Sequence, residues 1–183
     1  MKTLLLTLGL GLIAALQAQD PMALDSEEPD ISGKWYIKAI VSDKGTPVRI
    51  TPPMTCSVLS NRDLQVSFTR MHDGQCHEVE ILLEKTSVPG EYTSFGGLSH
   101  LHVELSSVED HRLFYCEGEF QEEKFRVAKL VSRNLEESPE ALKEFKEFIW
   151  HKGLQEKDIF IPEQTGERTA PPKSSRTPSL SAT

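Results

Sequence analysis

The sequence is short of the residues that staple a fold, bind polyanions or cross a bilayer. It has three cysteines in 183 residues, so they cannot all pair within the chain. Basic residues are outnumbered, 20 Lys and Arg against 28 Asp and Glu, for a net charge of −8. Nucleic acid and anionic lipid are therefore poor partners, because neutralising phosphate requires clustered Lys and Arg. The glycines form neither a phosphate-cradling loop nor a nucleophile elbow. The six histidines are scattered. His100 and His102 share one strand face, the outer one, and two such ligands make a poor metal site. No metal and no cofactor are expected. Past the first 20 residues, no apolar run approaches the roughly 20 residues that a membrane span needs.

The one long apolar run opens the chain. Lys2 supplies a positive start, Leu4 to Leu16 are apolar apart from Thr7, and Ala18 offers a small residue for cleavage. Residues 1–18 read as a secretory signal peptide, too short and wrongly flanked for a span. The expectation is a secreted, extracellular protein. Residues 19–31 are polar and acidic, with Pro21 and Pro29, and read as a flexible leader. Residues 162–183 are rich in Pro, Ser and Thr. Such a composition cannot offset its ordering entropy, so a disordered tail is expected.

Between these ends the apolar residues alternate with period two. Trp35, Ile37, Ala39 and Val41 lie on one side of a first strand, with Tyr36, Lys38 and Ile40 on the other. Seven further short runs follow, at 54–59, 63–71, 75–85, 91–95, 98–105, 111–118 and 123–132, separated by turn residues. One helix is marked over 138–152. Ser138 is the N-cap, Pro139 takes the first helical position, Leu142, Phe145, Phe148 and Ile149 form an apolar stripe, and Gly153 ends it. The fold class is all-β with one helix. Eight strands with hairpin connections suggest an antiparallel up-and-down barrel, which leaves no open edge. The helix packs on its outer wall, and residues 32–161 make up this single domain. Eight is also the strand number whose interior can hold one small ligand.

Three motifs then become specific. “SGKWYIKA” resembles the Gly-x-Trp signature of the lipocalins. “SSVEDHRLFYCEGE” and “AKLVSRN” resemble that family's second and third motifs. They stand in the right order, followed by the expected helix, and the likeness spans residues 30 to 165. “GKWYIKA”, “GQC”, “FYCEGE” and “EALKEFKEF” are most similar to the tear and von Ebner's gland lipocalins, and “KGLQEKDIF” to odorant-binding lipocalins. The resemblance implies a carrier of fatty acids, other lipids or odorants inside the barrel, and no enzyme. It also implies that Gly33, Trp35 and Arg133 close the narrow end. The guanidinium would stack on the indole, and Gly33 would allow the close approach.

On that frame, strand alternation assigns the cavity. The inward residues expected to touch ligand are Ile37 on the first strand, Met54 and Cys56 on the second, and Phe68 on the third. Val79 and Ile81 follow on the fourth, Leu101 and Val103 on the sixth. By resemblance Phe114 and then Phe120 come from the seventh, and Val127 and Lys129 from the eighth. Ala39, Val41, Val58 and Leu105 are placed inward by the same alternation. The same apolar set could instead fill a solid core, giving an interaction protein rather than a carrier. Lys129 is the sharpest polar candidate, since a lysine among apolar neighbours needs a compensating partner. It either meets a carboxylate or phosphate headgroup, or snorkels to the rim or pairs with a glutamate. Arg70, inward near the mouth, is a weaker candidate.

The cysteines carry the remaining readings. The lipocalin-type prostaglandin D synthase has a reactive cysteine on its second strand, and “MTCSV” around Cys56 resembles that neighbourhood. Cys56 is thus the one catalytic candidate, for an isomerase. The alternative is a buried thiol acting as a small hydrophobe with a raised pKa. In lipocalins of this type the “GQC” cysteine is bridged to one near the C-terminus, after a segment like “PEQTG”. Here the residues after Gly166 hold no cysteine. The resemblance therefore implies that Cys76 lacks its usual bridge, and no internal disulfide is expected. A disulfide-linked dimer through Cys76 stays open, and the sequence names no cell-surface receptor.

Overall fold

The structure is a computed structural model that describes residues 29–45, 52–72 and 75–163, with the backbone alone at 71, 72 and 120. The expected signal peptide, the expected leader up to residue 28 and the expected tail beyond residue 163 lie outside the described residues.

Eight strands close into a barrel in sequence order, each antiparallel to the next, with the last pairing back onto the first. They are β1 (Gly33–Ser42), β2 (Met54–Val58), β3 (Leu64–His72), β4 (Gln75–Lys85), β5 (Glu91–Ser94), β6 (Ser99–Leu105), β7 (His111–Phe120) and β8 (Glu123–Ser132). Closure gives every strand a neighbour on both sides, although the β4–β5 ladder holds only the pairs Glu84–Thr93 and Lys85–Tyr92. The period-two alternation then sorts side chains between an inner and an outer face.

One local irregularity changes that sorting. Ile37 pairs with Val131, but Ala39 pairs with Leu130, so a β-bulge at Lys38 shifts the register of β1 against β8. A bulge adds one residue and flips the parity beyond it. Ala39 and Val41, expected inside, therefore face outward. Both are fully buried beneath the helix, together with Ala128, Leu130, Leu113 and Tyr115. Ile40 takes the inner face instead, opposite Lys129 and beside the interior cluster. Val58 and Leu105 also depart from expectation, each being more than half exposed at a strand end. There the wall stops and parity no longer implies burial.

The helix α1 (Pro139–His151) begins where Ser138 accepts a hydrogen bond from the Ala141 amide at 3.2 Å. Ala141, Phe145, Phe148 and Ile149 bury its inner stripe against β7, β8 and the turned part of β1. Glu144 ties it to the barrel by accepting from the Ser106 hydroxyl and, at 2.9 Å, from the Ser107 amide. Desolvation pushes the Glu144 carboxyl up, but these hydrogen bonds outweigh it and hold the pKa below the usual value. Beyond the helix the chain returns to β1, where Ile40 and Phe160 exchange backbone hydrogen bonds of 3.0 and 2.8 Å. Ile31, read from sequence as part of the leader, is only 2% exposed and joins the interior core.

Candidate binding cavity

The barrel has a shut end and a less filled end. At the shut end Trp35 is fully buried, and its indole Nε1 donates to the Ile31 carbonyl at 2.9 Å. The Arg133 guanidinium lies 3.7 Å from the ring centroid and donates from Nη1 to the Lys34 carbonyl at 3.3 Å. Gly33 has φ 87°, and a β-carbon there would sit 2.9 Å from Arg133 Nη1. Only glycine accommodates both constraints. The three residues expected to close the barrel do meet at one point. Arg112 joins them, 5.5 Å from the Trp35 centroid, and donates to the His111 carbonyl at 2.7 Å. Burial and the nearby Arg133 charge both lower its pKa. The sequence reading overlooked Arg112. The signal was present, because it lies two residues before Phe114 on the inward parity of β7.

Above this plug the wall is apolar and tightly covered. Ile37, Met54, Cys56, Leu101, Val103 and Phe114 are all buried on the inner face. Their register is continuous. Met54 pairs with Phe68, which pairs with Val79, and Cys56 pairs with Val66, which pairs with Ile81. Val103 pairs with Phe114, which pairs with Lys129.

Higher up the covering fails. Phe68, Val79, Ile81, Cys116, Val127 and Lys129 carry inward register yet are only half-buried. Val79 and Ile81 lie on a stretch of β4 that pairs with β3 but with no residue of β5, so part of this surface opens through the wall. Phe120 ends β7 in the same parity; its side chain lies outside the described residues. Arg70 pairs with His77 toward the mouth and is exposed.

Lys129 is the basic group on this stretch of the inner wall. Among the described residues its ammonium makes no hydrogen bond and no ion pair, so the glutamate partner is not observed. Desolvation lowers its pKa, and the Cys116 and Cys56 thiols pull it part of the way back. Cys116 lies next to it, its Sγ 3.2 Å from Ser99 Oγ. Cys56 is 1% exposed, and burial pushes its thiol up to about 11. That environment suppresses the thiolate which nucleophilic chemistry needs. His100 and His102 pair with Thr93 and Glu91 on the outer face, away from the chamber. An outer depression of about 440 Å³ beside the helix is lined by Lys146, Glu147, Trp150, His151 and Glu156. Its charged, open walls do not suit an apolar ligand.

Known proteins share this architecture. A model of the Lipocalin / cytosolic fatty-acid binding protein family matches residues 32–166. The chain is 44% identical to vomeronasal secretory protein 1 of Mus musculus over 164 residues, covering 90% of each chain. It is 44% identical to von Ebner gland protein 1 of Rattus norvegicus, covering 90% of this chain and 96% of the other. It is 40% identical to odorant-binding protein 2a of Mus musculus, covering 89% and 95%. Among solved structures, the siderocalin Ex-FABP superposes with a TM-score of 0.62 at 22% identity, covering 73% of this chain and 95% of that one. At that identity the likeness concerns the fold.

Proposed function

The chain belongs to the lipocalin family, and on that premise we propose that it is a secreted carrier holding small hydrophobic molecules (fatty acids, related lipids and odorants) inside the barrel. The observation that carries this reading is the change along the inner wall. Trp35 and Val131 are fully covered at the closed end, while Lys129, the next inward residue on β8, and Val127, Phe68 and Ile81 keep accessible surface. A solid core would leave less of these apolar side chains accessible.

The affinity follows from area. Removing ~300 Å² of apolar ligand surface from water contributes about 7 kcal/mol. That corresponds to a dissociation constant of roughly 10 μM, before any polar contact is counted. Recognition by area is tolerant of shape, so a broad range of apolar ligands is expected. Lys129 supplies the polar end. A ligand carboxylate entering the chamber would restore the charge that desolvation discourages, forming a charge-assisted hydrogen bond. Secretion is supported by the signal-like residues 1–18 and by relatives named as secretory proteins. The names of the relatives point to binding rather than catalysis, and the raised, covered Cys56 thiol supplies no support for an isomerase.

Displacement of a fluorescent fatty-acid probe tests the reading. Saturable displacement by palmitate and by an apolar odorant is expected. Absence of any saturable binding would mean a filled barrel. A fatty acid compared with the alcohol of equal length, on wild type and Lys129→Met, isolates the headgroup contact. The acid should lose about tenfold or more on substitution, and the alcohol should change little.

A further inference from the structure

The chamber contains more nucleophiles than a carrier of inert apolar molecules needs. Cys116, Lys129 and Ser99 converge on one stretch of the inner wall. Cys116 pairs with Val127, and Phe114 with Lys129, so the thiol and the lysine are diagonal neighbours on the same face. Such positions lie ~7 Å apart at their β-carbons, within reach of a long side chain. From the other strand Ser99 Oγ approaches Cys116 Sγ to 3.2 Å. This approach depends on Gly118, because a β-carbon there would lie 2.6 Å from the Leu98 carbonyl and 2.9 Å from Ser99 Cα. The enclosed Lys129 ammonium has no hydrogen bond or ion pair among the described residues, and its electrostatic neighbours are the two interior thiols.

We propose that the chamber captures apolar α,β-unsaturated aldehydes and ketones covalently, by conjugate addition of the Cys116 thiol with Lys129 as proton acceptor. The proposal rests on the reading of the barrel as an open apolar cavity. The cavity concentrates the enal by its tail, which supplies proximity. Neutral Lys129 Nζ takes the thiol proton, and Ser99 hydrogen-bonds the sulfur. The thiolate forms an S–C bond to the β-carbon while the C=C π pair moves toward the carbonyl oxygen as an enolate. The Lys129 ammonium then returns the proton to the α-carbon. The product is a thioether that keeps its carbonyl. Thiol and enal combine with no leaving group and no oxidant. Desolvation leaves more of Lys129 in the neutral form that can accept this proton than would be neutral in water.

The other thiols are poorly placed. Cys56 is 1% exposed and its thiolate is suppressed. Cys76 lies on the outer face of β4, exposed.

The test uses the secreted chain carrying Cys76→Ser, which removes the outer thiol. The protein is incubated with trans-2-nonenal or with saturated nonanal, and the adduct is measured by intact mass and peptide mapping. Displacement of a fluorescent fatty-acid probe is followed in parallel. The expected result is one thioether on Cys116 with nonenal, none with nonanal, and protection of Cys116 by preloaded palmitate. Lys129→Met should slow the adduct by about a hundredfold, the contribution of a positioned proton acceptor. Palmitate protection in the unsubstituted lysine background keeps the test valid if that variant folds poorly. Nonenal that displaces the probe without adding to Cys116 overturns the proposal and leaves the carrier reading standing. Neither displacement nor adduct overturns both. Equal labelling of Cys56, or an unchanged rate in folded Lys129→Met, also overturns it.

Discussion

The Arg133 guanidinium is stacked 3.7 Å from the centroid of the Trp35 ring, and the missing side chain of Gly33 makes room for it. Arg133→Met keeps the apolar stem and removes the charge. It should cost about 0.5–2 kcal/mol in urea unfolding, with little change in probe affinity, because the plug lies below the chamber. Gly33→Ala should cost more, since it adds both a positive-φ penalty and a contact with the guanidinium. A large loss of ligand affinity in folded Arg133→Met would place the arginine in the binding site instead.

The bulge at Lys38 makes a paired prediction. Ala39 is fully buried between barrel and helix, so Ala39→Leu should overpack that layer and destabilise by about 1–3 kcal/mol. Ile40 faces the interior opposite Lys129, so Ile40→Ala should alter probe affinity. Denaturant unfolding and probe titration read the two separately. The reverse pattern would restore the unbroken alternation read from sequence.

Lys129 predicts a pH dependence of stability. Its folded pKa lies below the ordinary lysine value of 10.5. Between the two values the unfolded chain holds a proton that the folded chain has released, so stability rises with pH across that window. Below the folded value, where both states are charged, the penalty is fully present. Lys129→Met should stabilise the ligand-free protein at neutral pH and abolish this rise. Urea midpoints measured from pH 7 to 10.5 check it, and a wild-type curve that falls through the window would contradict the assignment.

The cysteines differ in access. In the folded protein Cys76 should react first with a maleimide, Cys116 next and Cys56 last, following their exposed, half-buried and buried positions. Unfolding without reductant should make all three reactive; labelling of one alone would reveal a bridge. We further propose that exposed Cys76 supports disulfide-linked dimers. Loss of a dimer band in Cys76→Ser on non-reducing gels would agree, and its persistence would not.

Much of the architecture is written locally. The period-two runs, the turn residues between them and the Ser138–Pro139 start of the helix each depend on near neighbours, so eight strands and one helix were legible. Trp35, Gly33 and Arg133 were legible through motif likeness. The bulge was not, because Lys38 differs in no local respect from other strand residues. Its register follows from how β1 must bend to pair with both β2 and β8. The inward parity of Arg112 was legible, but its partner was not, and the same holds for Ser99. Each matters through a residue on another strand, Trp35 or Cys116, and pairing register is a long-range property.

By itself the sequence determined the alternation, the charge balance, the capped helix and the inventory of three cysteines with one lysine in an apolar run. These depend on residue type and spacing, which physics reads within a few positions. Only the tertiary structure decided which side of the bulge faces inward, which inner residues keep open surface, and that Cys116, Ser99 and Lys129 share one stretch of wall. Those outcomes depend on how a closed sheet distributes space. Closure makes the face, depth and neighbours of each residue depend on strands up to a hundred positions away, as Lys34 and Arg133 are.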